Sequence, residues 1–310
     1  MYVPPRQELA SDLAPLIGRT AGWITDRTGV AVRHVADESM ASMAARVGHE
    51  VLGDERPDLI LNASLTPIQL IPDSSVFVQQ ALGFEGIPSY TVHATCLSFA
   101  VGLQSAGALI QAGAYRRILL VSSEQGTPWR DLTEPESAAL IGDGAAAALL
   151  EPAVDGDDTG LLGFAMGTWP DGADYAEFRG CGTRQRPEDP TTRPEHYKFR
   201  MRGPRVWRLA LRHADAILDR AFAEAGMSRD AIDVIVPHQA SGPMLDLFPQ
   251  FGFDDRKVVK IIADTGNCIA ASLPMALHTA IATERLRRGQ TALLFGTGAG
   301  LSMAAAIVRY

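Results

Sequence analysis

No apolar run in this sequence approaches the roughly 20 residues that a membrane-spanning helix requires. The opening stretch, MYVPPRQELASDLAP, lacks the basic-then-apolar order of a secretory leader. Cysteine is scarce. Cys96, Cys181 and Cys268 lie far apart with no CxxC or other metal-ligand spacing, so neither a disulfide framework nor a metal site is expected. Positive charge is not in excess either: 28 Lys and Arg stand against 36 Asp and Glu, for a net charge of −8. That balance excludes a nucleic-acid binder that works by overall charge. These absences point to a cytoplasmic protein with free thiols, no membrane span and no nucleic-acid partner.

What is present is enough apolar material, 46% of 310 residues, to bury a large core. Short apolar runs alternate with longer Ala-rich amphipathic stretches, which predicts an α/β fold of parallel strands joined by helices. Strands are expected at Leu59–Ala63, Tyr90–His93, Arg117–Ser122, Ala145–Leu150, Val234–Pro237, Val258–Ile262, Thr291–Phe295 and Ala304–Arg309. Helices are expected at Ser39–Leu52, Leu97–Gly113, Gly203–Ala225 and Ile269–Arg288. Gly167–Tyr197, rich in Gly, Pro and Arg, reads as a long surface excursion.

A faint internal repeat organises the chain. A strand leads to Cys96, a long Ala/Leu helix follows, then a strand and a Gly-rich strand, GDGAAAALL. The same order recurs from Val258 through Asn267 to GTGAGLSMAAAIV. Such self-similarity fits two duplicated halves, 1–157 and 158–310, that face each other. Cys96 and Asn267 then hold equivalent positions, each at the start of a buried helix.

Three side chains stand out as candidates. Cys96 lies where a β-rich run stops and a helical run begins, and the helix dipole there is expected to lower the thiol's pKa toward the thiolate. A buried thiol that merely packs is the alternative. His238 ends the apolar strand VIVP, a position that faces the ligand crevice of an α/β sheet. His93, three residues before Cys96, is its nearest rival but falls on the opposite face of a strand. Asn267, in DTGN before an Ala-rich helix, reads first as a helix cap. Gly298-Ala299-Gly300 is either a tight turn or a source of backbone N–H groups for an oxyanion.

Taken in order, WITDRTGV at 23–30, the Cys96 segment, GDGA at 142–145, VPHQA at 236–240, GNCIAASLP at 266–274 and the C-terminal Gly-rich strand resemble the 3-oxoacyl-ACP synthase III family. The resemblance covers nearly the whole chain. It implies a thiolase fold of duplicated αβαβα layered halves, and a homodimer. It implies an acyltransferase that loads an acyl group from acyl-CoA onto Cys96 and condenses it, with loss of CO₂, with malonyl-CoA or malonyl-ACP. Cys96, His238 and Asn267 match the family's triad. The N–H groups of Cys96 and Ala299 would form an oxyanion hole. Trp23, Arg27 and Arg208 match positions that meet the CoA nucleotide or an acyl carrier protein, and Ile71 matches one that reaches across the dimer to close the partner's acyl pocket. No permanently bound cofactor is implied; acyl-CoA is a substrate.

The chain also departs from the family. It opens where a first strand and Gly turn are usual, so that strand is expected to be missing. The arginine that stacks on adenine is Pro135 here. The carrier-docking arginine five residues after the triad histidine is Pro243, and an asparagine three residues after it is Ser241. Between Arg179 and Arg208 nine basic residues face three acidic ones, a local positive field suited to an acidic carrier or to CoA phosphates. A specialised lipid, cofactor or secondary-metabolite pathway is therefore the expectation. Two other readings are a non-decarboxylating transfer from Cys96 to a hydroxyl or amine, and a non-catalytic partner subunit of the same fold. The amide at 267 favours condensation, because it donates to an enolate without bringing a negative charge.

Overall fold

The computed structural model describes every residue except Asp155 and Asp157. Its strands, in chain order, are β1 (Gln7–Leu9), β2 (Val32–His34), β3 (Leu59–Asn62), β4 (Ser89–Thr91), β5 (Ile118–Glu124), β6 (Gly144–Leu150), β7 (Gly160–Thr168), β8 (Ala176–Glu177), β9 (Arg200–Met201), β10 (Val234–Pro237), β11 (Thr291–Gly298) and β12 (Ser302–Arg309). Two four-stranded sheets, β4-β3-β5-β6 and β10-β11-β12-β7, form the frame. Successive residues of their strands alternate between two cores. Leu59, Leu61, Leu120, Val236 and Leu294 face a central core, Ile60, Leu119 and Val121 face one outer layer, and Ile235, Leu293 and Phe295 face the other. Strands buried on both faces read as unbroken apolar runs, which is why they were visible in the sequence.

The central core holds two helices, Ser98–Gln111 and Ser272–Ala282, between the sheets. Helix Met40–Leu52 covers one outer face and helix Gly203–Ala225 the other. The result is the α/β layered, duplicated thiolase fold. The correspondence of the halves is close: β3, β5 and β6 match β10, β11 and β12. In the first half, the place beside β6 that β7 takes beside β12 is marked only by a Tyr2–Ala145 bridge. In the second, the place of β4 is marked only by an Ile235–Val258 bridge. The expected join at 157/158 falls on Asp157, outside the described residues.

Four expectations are corrected. The sheets are mixed: β3 runs parallel to β4 and β5, and β10 to β11, but β6, β12 and β7 are antiparallel to their neighbours. The short return from β11 to β12 leaves no room for a crossover helix. Val258–Ile262 is no strand, because the Gln239 carboxamide oxygen takes the N–H groups of Ile261 (2.9 Å) and Ile262 (3.1 Å) and turns the chain away. The expected Ile269–Arg288 helix is shorter, Ser272–Ala282 after a 3-10 turn at Ile269–Ala271. Strand β7 was not anticipated. Its sequence, GLLGFAMGT, is poor in β-branched residues, and pairing with β12 holds it in place.

The excursion begins after β7 and folds back as the β8–β9 ribbon. It docks on residues 128–130: Phe178 packs edge-on to Trp129 at 5.1 Å, and Phe199 N–H donates to the Trp129 carbonyl (2.9 Å). Its positive field is partly neutralised, since Arg179 pairs with Glu177 (2.6 Å), Arg184 with Asp174 (2.8 Å) and Arg200 with Asp131 (3.6 Å).

The halves are sewn together by backbone. Asn267 N–H donates to the Leu140 carbonyl (2.8 Å) and Gly142 N–H to the Asn267 carbonyl (3.1 Å). A Cβ on Gly142 would collide with the Thr265 carbonyl oxygen. Overpacking against backbone costs on the order of 1–3 kcal/mol or more, so Gly142→Ala is expected to lower the thermal midpoint by several degrees. Gly107, inside helix Ser98–Gln111, has open space around its Cβ position; Gly107→Ala is expected to gain about 0.5–1 kcal/mol. Thermal unfolding of both variants checks this, and equal shifts would remove the seam's special status.

Candidate active site

The nucleophile candidate sits on a constrained turn. Thr95, just before Cys96, has φ +54°, an outlier for a β-branched residue and a mark of a turn held under strain. Ser98 clamps that turn: its Oγ accepts from Ala94 N–H (3.0 Å) and donates to the Thr95 carbonyl (2.7 Å). Strand β11 presses on the turn from the other side. A Cβ on Gly298 would strike Thr95 Oγ1, and one on Gly296 would lie 2.6 Å from His238 Cβ. Both positions therefore need glycine for close approach.

Cys96 is partly exposed, and helix Ser98–Gln111 starts two residues later. Its thiol is pushed up to about 12, first by desolvation and then by the charge of Glu124; the N–H groups of Ala299 and of Cys96 itself act in the opposite direction. Desolvation therefore works against the lowering expected from the start of the helix. The Ala299 N–H is thus close enough to the sulfur to act on it.

His238 follows β10, and its backbone N–H donates to the Phe295 carbonyl (2.8 Å). Only 5% of the residue is exposed, and burial pushes the imidazole down to about 4. Its Nδ1 has no hydrogen-bond partner among the described residues. A neutral ring with the proton on Nε2 leaves a bare lone pair at Nδ1, whereas the other tautomer would leave a buried N–H donor orphaned.

Asn267 braces a turn and also reaches. Its Oδ1 accepts from Ile269 N–H (2.8 Å) two residues on, but the 3-10 turn is capped at Cys268 and the helix Ser272–Ala282 at Ala271, neither by a side chain, so the helix-cap expectation is corrected. Its Nδ2 donates to the carbonyl of Ala240 (3.3 Å), two residues beyond His238. One Nδ2 hydrogen remains for another acceptor. The Cys96 turn, β11, His238 and Asn267 are thereby linked in one continuous cluster at the C-terminal ends of both sheets. His93 is exposed, unlike His238.

The other expected residues lie outside this cluster. Trp23 is half-buried, with Arg19 over its ring at 5.1 Å. Arg27 pairs with Glu136 at 2.8 Å, next to Pro135; both side chains are solvent-facing, so the pair is worth about 1 kcal/mol at most. Arg208 is exposed on helix Gly203–Ala225. Ile71 is 84% exposed and Leu70 75%, on a loop that Asp73 fastens to β4 through Thr91 Oγ1 (2.8 Å).

Glu124 was missed. It is fully buried at the end of β5, accepting from Leu65 N–H (2.6 Å), Thr66 N–H (3.0 Å) and Thr66 Oγ1 (2.7 Å). Burial pushes its carboxyl up to about 7. The signal was available: an ionisable residue ending an apolar strand is the same pattern that marked His238.

The family model for 3-oxoacyl-[acyl-carrier-protein] synthase III matches residues 90–170, and the model for its C-terminal region matches residues 222–310. The β-ketoacyl-[acyl-carrier-protein] synthase III of Rhodospirillum rubrum is 33% identical, over 99% of this chain and 96% of its own. That of Neisseria meningitidis serogroup B is 32% identical, over 100% and 97%. Among solved structures, 3-oxoacyl-(acyl carrier protein) synthase III from Pseudomonas aeruginosa PAO1 superposes with a TM-score of 0.90 at 29% identity, over 100% of this chain and 95% of that one. The priming β-ketosynthase of the R1128 polyketide biosynthetic pathway gives 0.86 at 28% identity, over 99% and 93%. By sequence along its length and by fold, this chain belongs to the 3-oxoacyl-[acyl-carrier-protein] synthase III family.

Proposed function

We propose that this chain catalyses the decarboxylative condensation of an acyl-CoA primer, held on Cys96, with a malonyl thioester on CoA or an acyl carrier protein. The observation that carries the reading is the linked cluster of a strained thiol turn, a buried neutral imidazole and an amide with a donor to spare. Cys96 sulfur attacks the primer's carbonyl carbon, and the CoA thiol leaves with the proton that Cys96 gives up. The N–H groups of Cys96 and Ala299 hold the oxyanion. The malonyl thioester then loses CO₂, and its electron pair becomes an enolate. His238 Nε2–H and Asn267 Nδ2–H donate to the enolate oxygen. The carbanion attacks the acyl carbon, and Cys96 leaves as a thiolate that takes a proton from water.

The buried imidazole suits this role better than that of a proton-accepting base. A ring that protonates only near pH 4 stays a neutral donor at neutral pH. The partner-subunit reading is disfavoured, since a structural subunit has no need of the three residues together.

For carrier and primer we propose that Trp23, Arg27 and Arg208 meet the CoA nucleotide or carrier. Exchanging Glu136 for a phosphate costs Arg27 little. We propose a homodimer in which Ile71 closes the partner's acyl pocket. Its exposure and its attachment to β4, an edge strand of its sheet, support that reading.

Intact-protein mass after incubation with a panel of acyl-CoAs is expected to show one acyl addition, absent in Cys96→Ala; label retained on Cys181 or Cys268 would sink the proposal. Iodoacetamide labelling of Cys96, followed by peptide mapping, should rise about tenfold per pH unit from pH 7 to 9, because the thiolate fraction grows that way below a pKa of about 12. A plateau by pH 8 would contradict the desolvated thiol. Asn267→Asp should cut condensation by two decades or more while leaving acylation measurable; equal loss of both steps would assign Asn267 to the turn alone. Ile71→Phe should shift primer preference toward acetyl and Ile71→Ala toward longer acyl groups, by about one to two decades in kcat/KM. An unchanged length profile in stable dimers of both variants would remove Ile71 from the pocket.

A further inference from the structure

A cavity of about 40 Å³ lies between helix Gly203–Ala225 and the second sheet, and it reaches His238. Ala210 and Ala214, one turn apart on that helix, give it a small-residue roof; Phe248, Phe295 and Met303 give it apolar walls. One water needs about 10–15 Å³ on the same measure, so the space suits a methyl or ethyl group. Its walls offer little to a polar occupant.

The lining decides which substrate group can enter. No residue from 91 to 99 borders the cavity, nor does Ala299 or Asn267. The primer acyl chain hangs from the Cys96 sulfur, whose turn is not part of this lining. His238 does border it, alongside Gly296 and Thr297. His238 is the residue read above as holding the extender, so the extender is the substrate placed to send a group in.

We propose that this cavity receives a short α-alkyl substituent on the extender, so that the chain condenses α-methylmalonyl as well as malonyl thioesters. The proposal rests on the reading of His238 as a donor to the enolate oxygen. The step balances as before. The α-methylmalonyl thioester loses CO₂, its α-carbon keeps one hydrogen and the methyl group, and that carbon bonds to the acyl carbon. Cys96 leaves as a thiolate and is protonated by water. The product is a 2-methyl-3-oxoacyl thioester. Burying one methyl in a preformed apolar space is worth about fourfold in binding, enough to offset the crowding that an unaccommodated branch would meet.

The test uses enzyme preloaded at Cys96, with malonyl and α-methylmalonyl thioesters compared on CoA and, in parallel, on one acyl carrier protein. Products are followed by mass. The wild-type protein is expected to form both, with rates within about tenfold of each other. Ala214→Leu and Ala210→Val fill the cavity and should lower the α-methylmalonyl rate tenfold or more, leaving Cys96 acylation and the malonyl rate within about twofold. Malonyl product without α-methylmalonyl product in the wild type overturns the proposal, and that comparison decides alone if neither variant folds. An unchanged extender ratio in folded variants, or a shift in primer length instead, also overturns it. Absence of condensation with either extender is a different failure, that of the condensing role itself.

Discussion

The exchange of backbone hydrogen bonds between Leu140–Gly142 and Asn267 is the constraint on which the site depends. It joins the GDGA turn of the first half to the segment that delivers the amide in the second. Two glycines allow it: Gly142 has no room for a side chain, and Gly266, at φ +67°, sits under the Leu140 carbonyl. The buried carboxyl of Asp143 braces the same turn, taking Ala36 N–H (2.9 Å), Thr127 N–H (2.9 Å) and Thr127 Oγ1 (2.7 Å). Asn267 is thus placed by main chain, and its side chain braces the Ile269 turn and tethers Ala240 with one Nδ2 hydrogen left over.

Burial, more than local charge, sets the protonation states. Desolvation drives thiol, imidazole and the Glu124 carboxyl alike toward their neutral forms. A neutral thiol is slow to attack, and in a desolvated setting an N–H donor acts more strongly on a developing oxyanion. On the proposed reading, such a site would be quiet toward stray electrophiles until a thioester is in place.

The frame and the cluster of Cys96, His238 and Asn267 were legible because their signals are local. Doubly buried strands read as apolar runs, and Val234–Pro237 and Gly203–Ala225 fell at their observed bounds. His238 was found because polarity breaks an apolar strand. What escaped depends on partners distant in sequence. Strand β7 is specified by β12, and the end of the ladder at Val258 is specified by Gln239. The thiol's raised pKa could not be read from its helix either, since it depends on Glu124 and on packing from the other half. The positive field of the excursion is weaker than Arg179–Arg208 alone implies for a similar reason, because its partners Asp174, Glu177 and Asp131 lie outside that stretch.

Gln239 has a consequence for the residue beside it. Its carboxamide is wholly buried and fully used, donating to the carbonyls of Pro237 (2.9 Å) and Val259 (3.0 Å) while accepting from Ile261 and Ile262. The main chain at 238 is therefore fixed from both sides, by Gln239 and by Phe295, while Nδ1 of the ring has no hydrogen-bond partner among the described residues. Many histidine sites place a carboxylate on the second ring nitrogen, which both orients the ring and raises its basicity. Among the described residues Nδ1 has no such partner, so main chain holds the position of residue 238 while the ring carries no added basicity from a carboxylate.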